Sequence, residues 1–453
     1  MPKQLFGTDG IRGIPGQYPL DDATLEGVGF ALGQYLLREK ASQIAPRVLI
    51  GRDTRESGPH LAQCIANGLG AAGAEALGAG VLTTPGVAWL VNRKGFAAGV
   101  VVSASHNPYH DNGVKLISSS GMKFADAVEA DLERLILSPN GSPPAPISVV
   151  PVGRNGDQKL CEDYLAGLRN AALPRAKIAG MKIVLDCANG AATELAPKLF
   201  RSLGASVVAI NDRPDGRNIN AGAGSLYPEG MQKRVVETGS ELGVAFDGDA
   251  DRAIFASASG RLVDGDGVLL ALGRHLKSTG QLKGSVIVGT TMANLGLERA
   301  LEKNGLQLLR TAVGDRYVLE QMQRIGANFG GEQSGHILFL DDATTGDGML
   351  TAVKMASLVS IAGPLDRLVA DLKIYPQKIV NVRVKSKPPM DSLPEITHLL
   401  SEAKRALGSS GRVVLRYSGT EPLARVMVEA ERQQEVDRWT DAIASAIRSS
   451  IGT

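Results

Sequence analysis

The chain has 453 residues, enough for three or four domains, and carries a net charge of +2 from 49 basic and 47 acidic residues. That balance excludes nucleic acid or an anionic membrane as main partner, so any affinity for anions is local. Glycine is abundant, 54 of 453 residues, against an ordinary share of about 7 %. Many glycines cluster with Asp, Ser and Thr at apparent strand ends, where backbone approaches a ligand closely. Cys64, Cys161 and Cys187 lack metal-ligand spacing and predict a reducing compartment without disulfides. The first residues contain no hydrophobic signal region, and no apolar run reaches about 18 residues, which predicts a soluble, cytoplasmic protein.

Phe6-Gly-Thr-Asp-Gly-Ile-Arg-Gly13 is a tight turn that presents the Thr8 hydroxyl and the Arg12 guanidinium. Taken alone, it reads first as a turn capped by Asp9. Leu25–Leu37 is apolar at helical spacing, and Arg47–Gly51 is a strand followed by Arg52-Asp-Thr-Arg55. Ser57 predicts the N-cap of a helix to about Ala72. A strand over Glu75–Val81 and a helix over Pro85–Asn92 lead to the stretch Gly99–Ile117. There an apolar run, Val100 to Val102, breaks into Ser103, Ser105, His106 and Asn107, and Pro108 blocks its continuation. Asn112-Gly113 signals a turn, and the strand resumes over Val114–Ile117 with Lys115 in it. Taken alone, this is a polar hairpin whose Ser and His satisfy backbone groups. A helix over Ala125–Ile136 completes a first α/β domain, residues 1–150, and the Pro-rich stretch Ser138–Pro146 reads as a linker.

A second α/β domain, residues 151–253, repeats the grammar: helix Asp157–Ala172, strand Met181–Asp186, helix Ala191–Leu203, strand Ala205–Ile210. It ends in Phe246-Asp-Gly-Asp-Ala-Asp-Arg252. In extended backbone Asp247, Asp249 and Asp251 point to one side. Three like charges there call for a cation. An EF-hand fails, because the sixth position is Arg252 where glycine is needed and the twelfth is Ala258 where a bidentate Glu is needed. An all-oxygen cluster with room for an external ligand suits Mg²⁺.

The third α/β domain, residues 254–370, opens on a hairpin over Ile254–Val263 and continues through alternating helices and strands. Two of its loops carry chemistry. Thr311–Tyr317, with Gly314 and Asp315, leads into a helix. Gly330–His336 sets Glu332, Ser334 and His336 on one glycine-rich loop, a group that suits several sugar hydroxyls and equally a capped turn. After Asp371 a period-two strand, Gln377–Lys385, begins an α+β domain, residues 371–453, with an antiparallel sheet. Between two of its strands lies Arg416-Tyr-Ser-Gly-Thr-Glu-Pro422. Arg416, Ser418, Gly419, Thr420 and Arg425 form a phosphate cradle without a Walker lysine. No P-loop, dinucleotide fingerprint or G-x-S-x-G elbow occurs, so ATPase, dinucleotide enzyme and serine hydrolase lose support. The four loops together fit phosphoryl transfer on a sugar phosphate.

FGTDGIRG, SASHNP with its downstream NGxK, DGDADR, the GExSGH loop and RYSGTEP occur here in that order. In them the whole chain resembles the α-D-phosphohexomutases. The resemblance implies four domains around a central cleft, three α/β and one α+β. It implies a phosphoserine at Ser105 and one Mg²⁺ per chain, held by Ser105, Asp247, Asp249 and Asp251. Thr8, Arg12 and Arg252 would line the transferring phosphate. Lys115 and His106 would act as acid and base, Lys115 with a pKa lowered by nearby cations, and His336 as a weaker candidate. Gln333 and the Thr311–Tyr317 loop resemble the bacterial branch that interconverts glucosamine 6-phosphate and glucosamine 1-phosphate through glucosamine 1,6-bisphosphate, feeding UDP-N-acetylglucosamine. Rival readings are a mutase of mannose or glucose phosphates and a non-catalytic sugar-phosphate-binding protein. A hexosamine phosphate is the expected partner, and the sequence permits a homodimer.

Overall fold

The computed structural model describes residues 5–7, 9–39, 44–138, 152, 157–418 and 422–453. The first sheet contains β1 (Ile11–Gly13), β2 (Arg47–Arg52), β3 (Glu75–Val81), β4 (Ala98–Val102) and β5 (Asn112–Ser118), in the order β1-β5-β4-β2-β3. β4 is buried at every position, as expected of an apolar strand covered on both faces. β2 pairs parallel with β3 and β4, and β5 returns antiparallel to β4.

The second sheet repeats this plan with β6 (Lys182–Asp186), β7 (Ser206–Ile210), β8 (Leu242–Phe246), β9 (Ala253–Ser257) and β10 (Leu262–Val263). β6 is parallel to β7 and β8, and β9 returns antiparallel to β8. In the third sheet β11 (Val286–Thr290) is parallel to β12 (Gln307–Thr311) and β13 (Phe329–Gly331), and β14 (Ile337–Phe339) returns antiparallel to β13. The fourth sheet, β15 (Gln377–Arg383), β16 (Gly411–Tyr417) and β17 (Leu423–Ala430), is antiparallel in the order β15-β17-β16.

This shared plan positions the site. In each of the first three sheets a strand beside the parallel centre turns back on itself. The three returns carry Ser105, the Asp247–Asp251 cluster and the Glu332–His336 loop. The β16–β17 return carries the arginine-flanked loop of the fourth domain.

One apolar core runs through the first three domains and includes Val101, Leu185, Phe246, Leu269 and Phe329, whereas the fourth domain has its own around Val426 and Ile443. The helix Gly348–Ala362, missed by helical periodicity, is buried at every residue from Gly348 to Val359. Buried on every side, it shows no apolar stripe against a polar face. It packs on β8, β9 and the helices Gln158–Asn170 and Gly265–Ser278. The fourth domain docks on the third through one buried and one partly buried polar contact. Glu429 accepts from Leu295 N at 2.8 Å, and Arg412 donates to Thr291 O at 2.8 Å.

Two expectations are corrected. The 253–263 hairpin extends the second sheet, so a boundary after residue 253 would cut that sheet. Ser57 precedes the helix Gly58–Ala71 but makes no capping bond; its hydroxyl accepts from Asn112 Nδ2 at 2.8 Å instead. Residues 139–146 of the expected linker lie outside the described residues. Among the described residues no helix is long and apolar enough to cross a membrane.

Candidate active site

Ser105 has φ 52°, the left-handed region, which costs a side-chain-bearing residue on the order of 1–2 kcal/mol. Its Oγ donates to Asp247 Oδ2 at 2.7 Å, so the serine and the acidic cluster form one site. Behind it, Ser105 N donates to Ser103 Oγ at 3.0 Å, and Ser103 Oγ donates to Asp53 Oδ2 at 2.5 Å. Asp53 is ion-paired with Arg55, whose side chain is fully buried. Arg55 Nη2 reaches Ser105 O at 3.3 Å and Asn107 O at 2.6 Å. Asn220 Nδ2, from the second domain, donates to the same two oxygens at 2.9 and 3.0 Å.

Asp247, Asp249 and Asp251 bring carboxylate oxygens within 4.8 Å of one another, all buried. They converge through a turn, with Ala250 at φ 56° and Gly248 against the Ser105 backbone, and not through the extended backbone expected from their spacing. Among the described residues Asp249 Oδ1 and Asp251 Oδ1 have no hydrogen-bond partner. Buried carboxylate oxygens left unsatisfied, on an all-oxygen set, fit a hard divalent cation such as Mg²⁺. The cluster's own charge points the same way. Burial, then Asp251 and Asp249, push the Asp247 carboxyl well above the usual range. Burial pushes Asp251 in the same direction, but His336, Lys115 and Arg252 outweigh it and hold the carboxyl well below its usual range.

Lys115 departs from expectation. It is 3 % exposed, and its Nζ lies 3.1 Å from Asp249 Oδ2, 3.1 Å from Asp9 Oδ2 and 4.0 Å from Asp251 Oδ2. Burial alone would lower its pKa, but these three carboxylates dominate and raise it above the ordinary lysine range. The depressed amine expected from nearby cations is therefore wrong, and Lys115 is held as a protonated donor. His106 is pushed the other way. Burial, Arg252 and Arg12 lower its pKa, and its Nδ1 lies 3.4 Å from Ser105 Oγ.

A cavity of about 530 Å³ opens in front of Ser105. Arg12, Ser105, Asp251, Arg252, Gly314, Asp315, Glu332 and His336 line it, so three of the four predicted loops meet there. Glu332 Oε1 accepts from Gly314 N at 3.1 Å, which fixes the Thr311–Tyr317 and Gly330–His336 loops against each other. His336 Nδ1 lies 3.6 Å from Asp251 Oδ2. The Glu332–His336 segment is a tight turn closed by Glu332 N donating to His336 O, and Ser334 does not line the cavity. Arg416 and Arg425 are cross-strand partners in the fourth domain, and neither they nor Ser418 line the cavity. Thr8, Gly419 and Thr420 lie outside the described residues.

Sequence reasoning missed several participants. Thr84 Oγ1 donates to Asp249 Oδ2 at 2.6 Å. Lys123 Nζ bridges Asp9 Oδ1 at 2.7 Å and Asp315 Oδ2 at 2.9 Å, joining the first and third domains across the cleft. Lys387 Nζ donates to Ser418 O at 2.6 Å and brings a cation onto the fourth-domain loop. Each is remote in sequence from its partner, so no local motif announces it.

Four domain families match the chain in order. They are phosphoglucomutase/phosphomannomutase alpha/beta/alpha domain I over residues 3–140, domain II over 162–260, domain III over 264–375 and the C-terminal domain over 379–446. The chain belongs to the phosphoglucomutase/phosphomannomutase family, and is an isomerase of the phosphohexomutase class. It is similar to the phosphoglucosamine mutase of Solibacter usitatus, 49 % identical over 453 residues and 100 % of both chains. Among solved structures it shares its fold with a phosphoglucomutase/phosphomannomutase family protein of Burkholderia thailandensis, TM-score 0.78 at 23 % identity over 99 % of each chain. It also shares it with the N-acetylphosphoglucosamine mutase of Aspergillus fumigatus in complex with GlcNAc-6P and magnesium, TM-score 0.61 at 18 % identity, covering 100 % of this chain and 96 % of that one.

Proposed function

We propose that this chain interconverts glucosamine 6-phosphate and glucosamine 1-phosphate, with Ser105 carrying a phosphoryl group between the two sugar oxygens. The observation that carries the substrate assignment is the full-length, 49 % identity to a phosphoglucosamine mutase. The observation that supports the chemistry is Ser105 Oγ seated at 2.7 Å on the acidic cluster and facing the cavity.

Phospho-Ser105 gives its phosphoryl group to O1 of the 6-phosphate. The P–Oγ bond breaks, the P–O1 bond forms, and the O1 proton is lost to a base. Ser105 Oγ leaves with a proton delivered by an acid, and the 1,6-bisphosphate turns over in the cleft. In the second transfer the P–O6 bond breaks as the P–Oγ bond forms, the serine giving up its proton and O6 gaining one. His106, kept neutral, is the candidate proton acceptor. Lys115, kept charged, is the candidate donor toward phosphoryl oxygens. A Mg²⁺ ion, when bound by Asp247, Asp249 and Asp251, neutralises charge on the transferring group. Arg12 and Arg252 flank Ser105 in the cavity, where they suit the same group. Glu332 and His336 face the cavity as sugar-hydroxyl partners. Arg416, Ser418, Gly419, Thr420 and Arg425 would clamp the phosphate that is not reacting, once the fourth domain closes over the cleft.

The test is side-by-side turnover of glucosamine, glucose and mannose 6-phosphates. Glucosamine 6-phosphate is expected to give the highest kcat/KM, and a clear preference for mannose 6-phosphate would overturn the assignment. Intact-mass measurement is expected to show one phosphate that disappears, with activity, in Ser105→Ala. A fully active Ser105→Ala variant would exclude the carrier role.

A further inference from the structure

We infer that Arg55 and Asn220 are positioning residues that hold Ser105 in its left-handed, transfer-ready backbone, gripping one pair of carbonyl oxygens from two domains. This rests on the reading of Ser105 as the phosphoryl carrier. Neither residue belongs to a motif that the sequence singled out as a site, and neither lines the cavity.

Ser105 at φ 52° would relax toward ordinary backbone if nothing opposed it. Relaxation swings the Cα–Cβ bond and carries Oγ away from Asp247. Both sides of the residue are pinned against this. On the amide side, Ser105 N donates to Ser103 Oγ, itself anchored on Asp53. On the carbonyl side, Arg55 Nη2 and Asn220 Nδ2 both donate to the oxygens of residues 105 and 107, at 2.6 to 3.3 Å.

The donors are themselves fixed. Arg55 is fully buried, and its charge is balanced by Asp53, so the guanidinium is a rigid fork. Asn220 is 7 % exposed, sits at φ 58° and donates its own N–H to Ala188 O at 2.9 Å. Gly248 closes the remaining side, because a Cβ there would lie 2.5 Å from Ser105 O. The seam between the first two domains thus acts as a mould for the serine, and the rate of transfer depends on both halves.

The experiment compares wild type, Asn220→Ala, the isosteric Asn220→Asp and Arg55→Lys, which keeps the charge opposite Asp53. Dephosphorylated enzyme is mixed with glucosamine 1,6-bisphosphate, and Ser105 phosphate is followed by quench-flow and intact mass. Steady-state kcat and KM, and Tm as a fold control, are measured alongside. Asn220→Ala and Arg55→Lys are expected to slow phosphorylation and lower kcat by about 10- to 100-fold, with KM nearly unchanged. Asn220→Asp, which turns a carboxylate toward two carbonyl oxygens, is expected to fall below Asn220→Ala. Transfer at the wild-type rate in both Asn220→Ala and Arg55→Lys overturns the inference alone. Wild type that takes up no phosphate at Ser105 overturns the carrier reading and this inference with it. If Asn220→Ala fails to fold, Arg55→Lys and Asn220→Ser decide the matter by the same rates.

Discussion

Gly248→Ala is the sharpest single perturbation of this site. A Cβ built on Gly248 meets Ser105 O at 2.5 Å, Asn220 Nδ2 at 2.8 Å and Ile219 Cδ1 at 2.9 Å. Ile219 can give way, but a backbone oxygen held by two donors cannot. Restoring an ordinary contact of about 3.4 Å moves the Asp247–Asp251 turn and the Ser105 loop apart by roughly 0.9 Å. Overpacking of that kind costs about 1–3 kcal/mol of stability. A misplacement near 1 Å between reacting groups costs about 100-fold in rate. The variant is therefore expected to stay folded, lose a few degrees of Tm and lose about two orders of magnitude in kcat. The assay is steady-state conversion of glucosamine 6-phosphate with Mg²⁺ varied, so that weakened metal binding shows as a shifted Mg²⁺ requirement and not as a lower plateau. A plateau kcat within about twofold of wild type would refute the claim that the Gly248–Ser105 contact sets the transfer geometry.

Asp347 caps the helix Gly348–Ala362 through Leu350 N at 2.9 Å and accepts from Tyr164 Oη at 2.7 Å, fully buried. Burial raises its pKa from 3.8 to about 6, so the folded state binds more protons than the unfolded one across that window. Stability should then fall by up to about 3 kcal/mol as pH rises from 4 to 6. Asp347→Asn keeps the cap through its one oxygen and turns Nδ2 as a donor toward the Tyr164 hydroxyl, so it is expected to flatten the fall; parallel Tm-versus-pH curves for the two proteins would contradict it. Adding Mg²⁺ is expected to raise the Tm of wild type but not of Asp249→Asn, and equal shifts would remove Asp249 from the metal set. Glu429, with no exposed surface, accepts from Leu295 N and pairs with Arg412. Glu429→Ala is expected to cost about 1–3 kcal/mol by leaving the buried Leu295 N–H without its acceptor and the partly buried Arg412 without its carboxylate, read as a lower-temperature transition in calorimetry. An unchanged thermogram would show that this pair does not secure the fourth domain.

Much of the site was legible because its reactive groups are close in sequence. SASHNP and DGDADR each place their side chains within a few residues, and strand-to-loop changes in composition mark where they sit. What was not legible depends on distance and sign. The sequence sets cations beside Lys115, but folding brings Asp9, Asp249 and Asp251 to it, two of them more than 130 residues away along the chain. The carboxylates of the acidic cluster do converge, but through Ala250 in a left-handed turn that residue spacing cannot announce. Arg55 and Asn220 carry no local signal, since an arginine after a strand and an asparagine in a loop are ordinary. The common plan of the first three sheets was visible only as alternating strands and helices. That each functional loop occupies the same turn-back position emerged from the pairing.

The two-domain grip on Ser105 has a consequence for how the protein is made. Asn220 follows Ser105 by 115 residues, and Asp247 by 142. At roughly 5–20 residues per second, the ribosome delivers Asn220 about 6–23 s after the serine. A nascent chain in that interval has Arg55 and the first sheet but only half the mould. On the proposed carrier reading, the serine meets both halves of its mould, and with them its acceptor geometry, only when translation has passed the second domain.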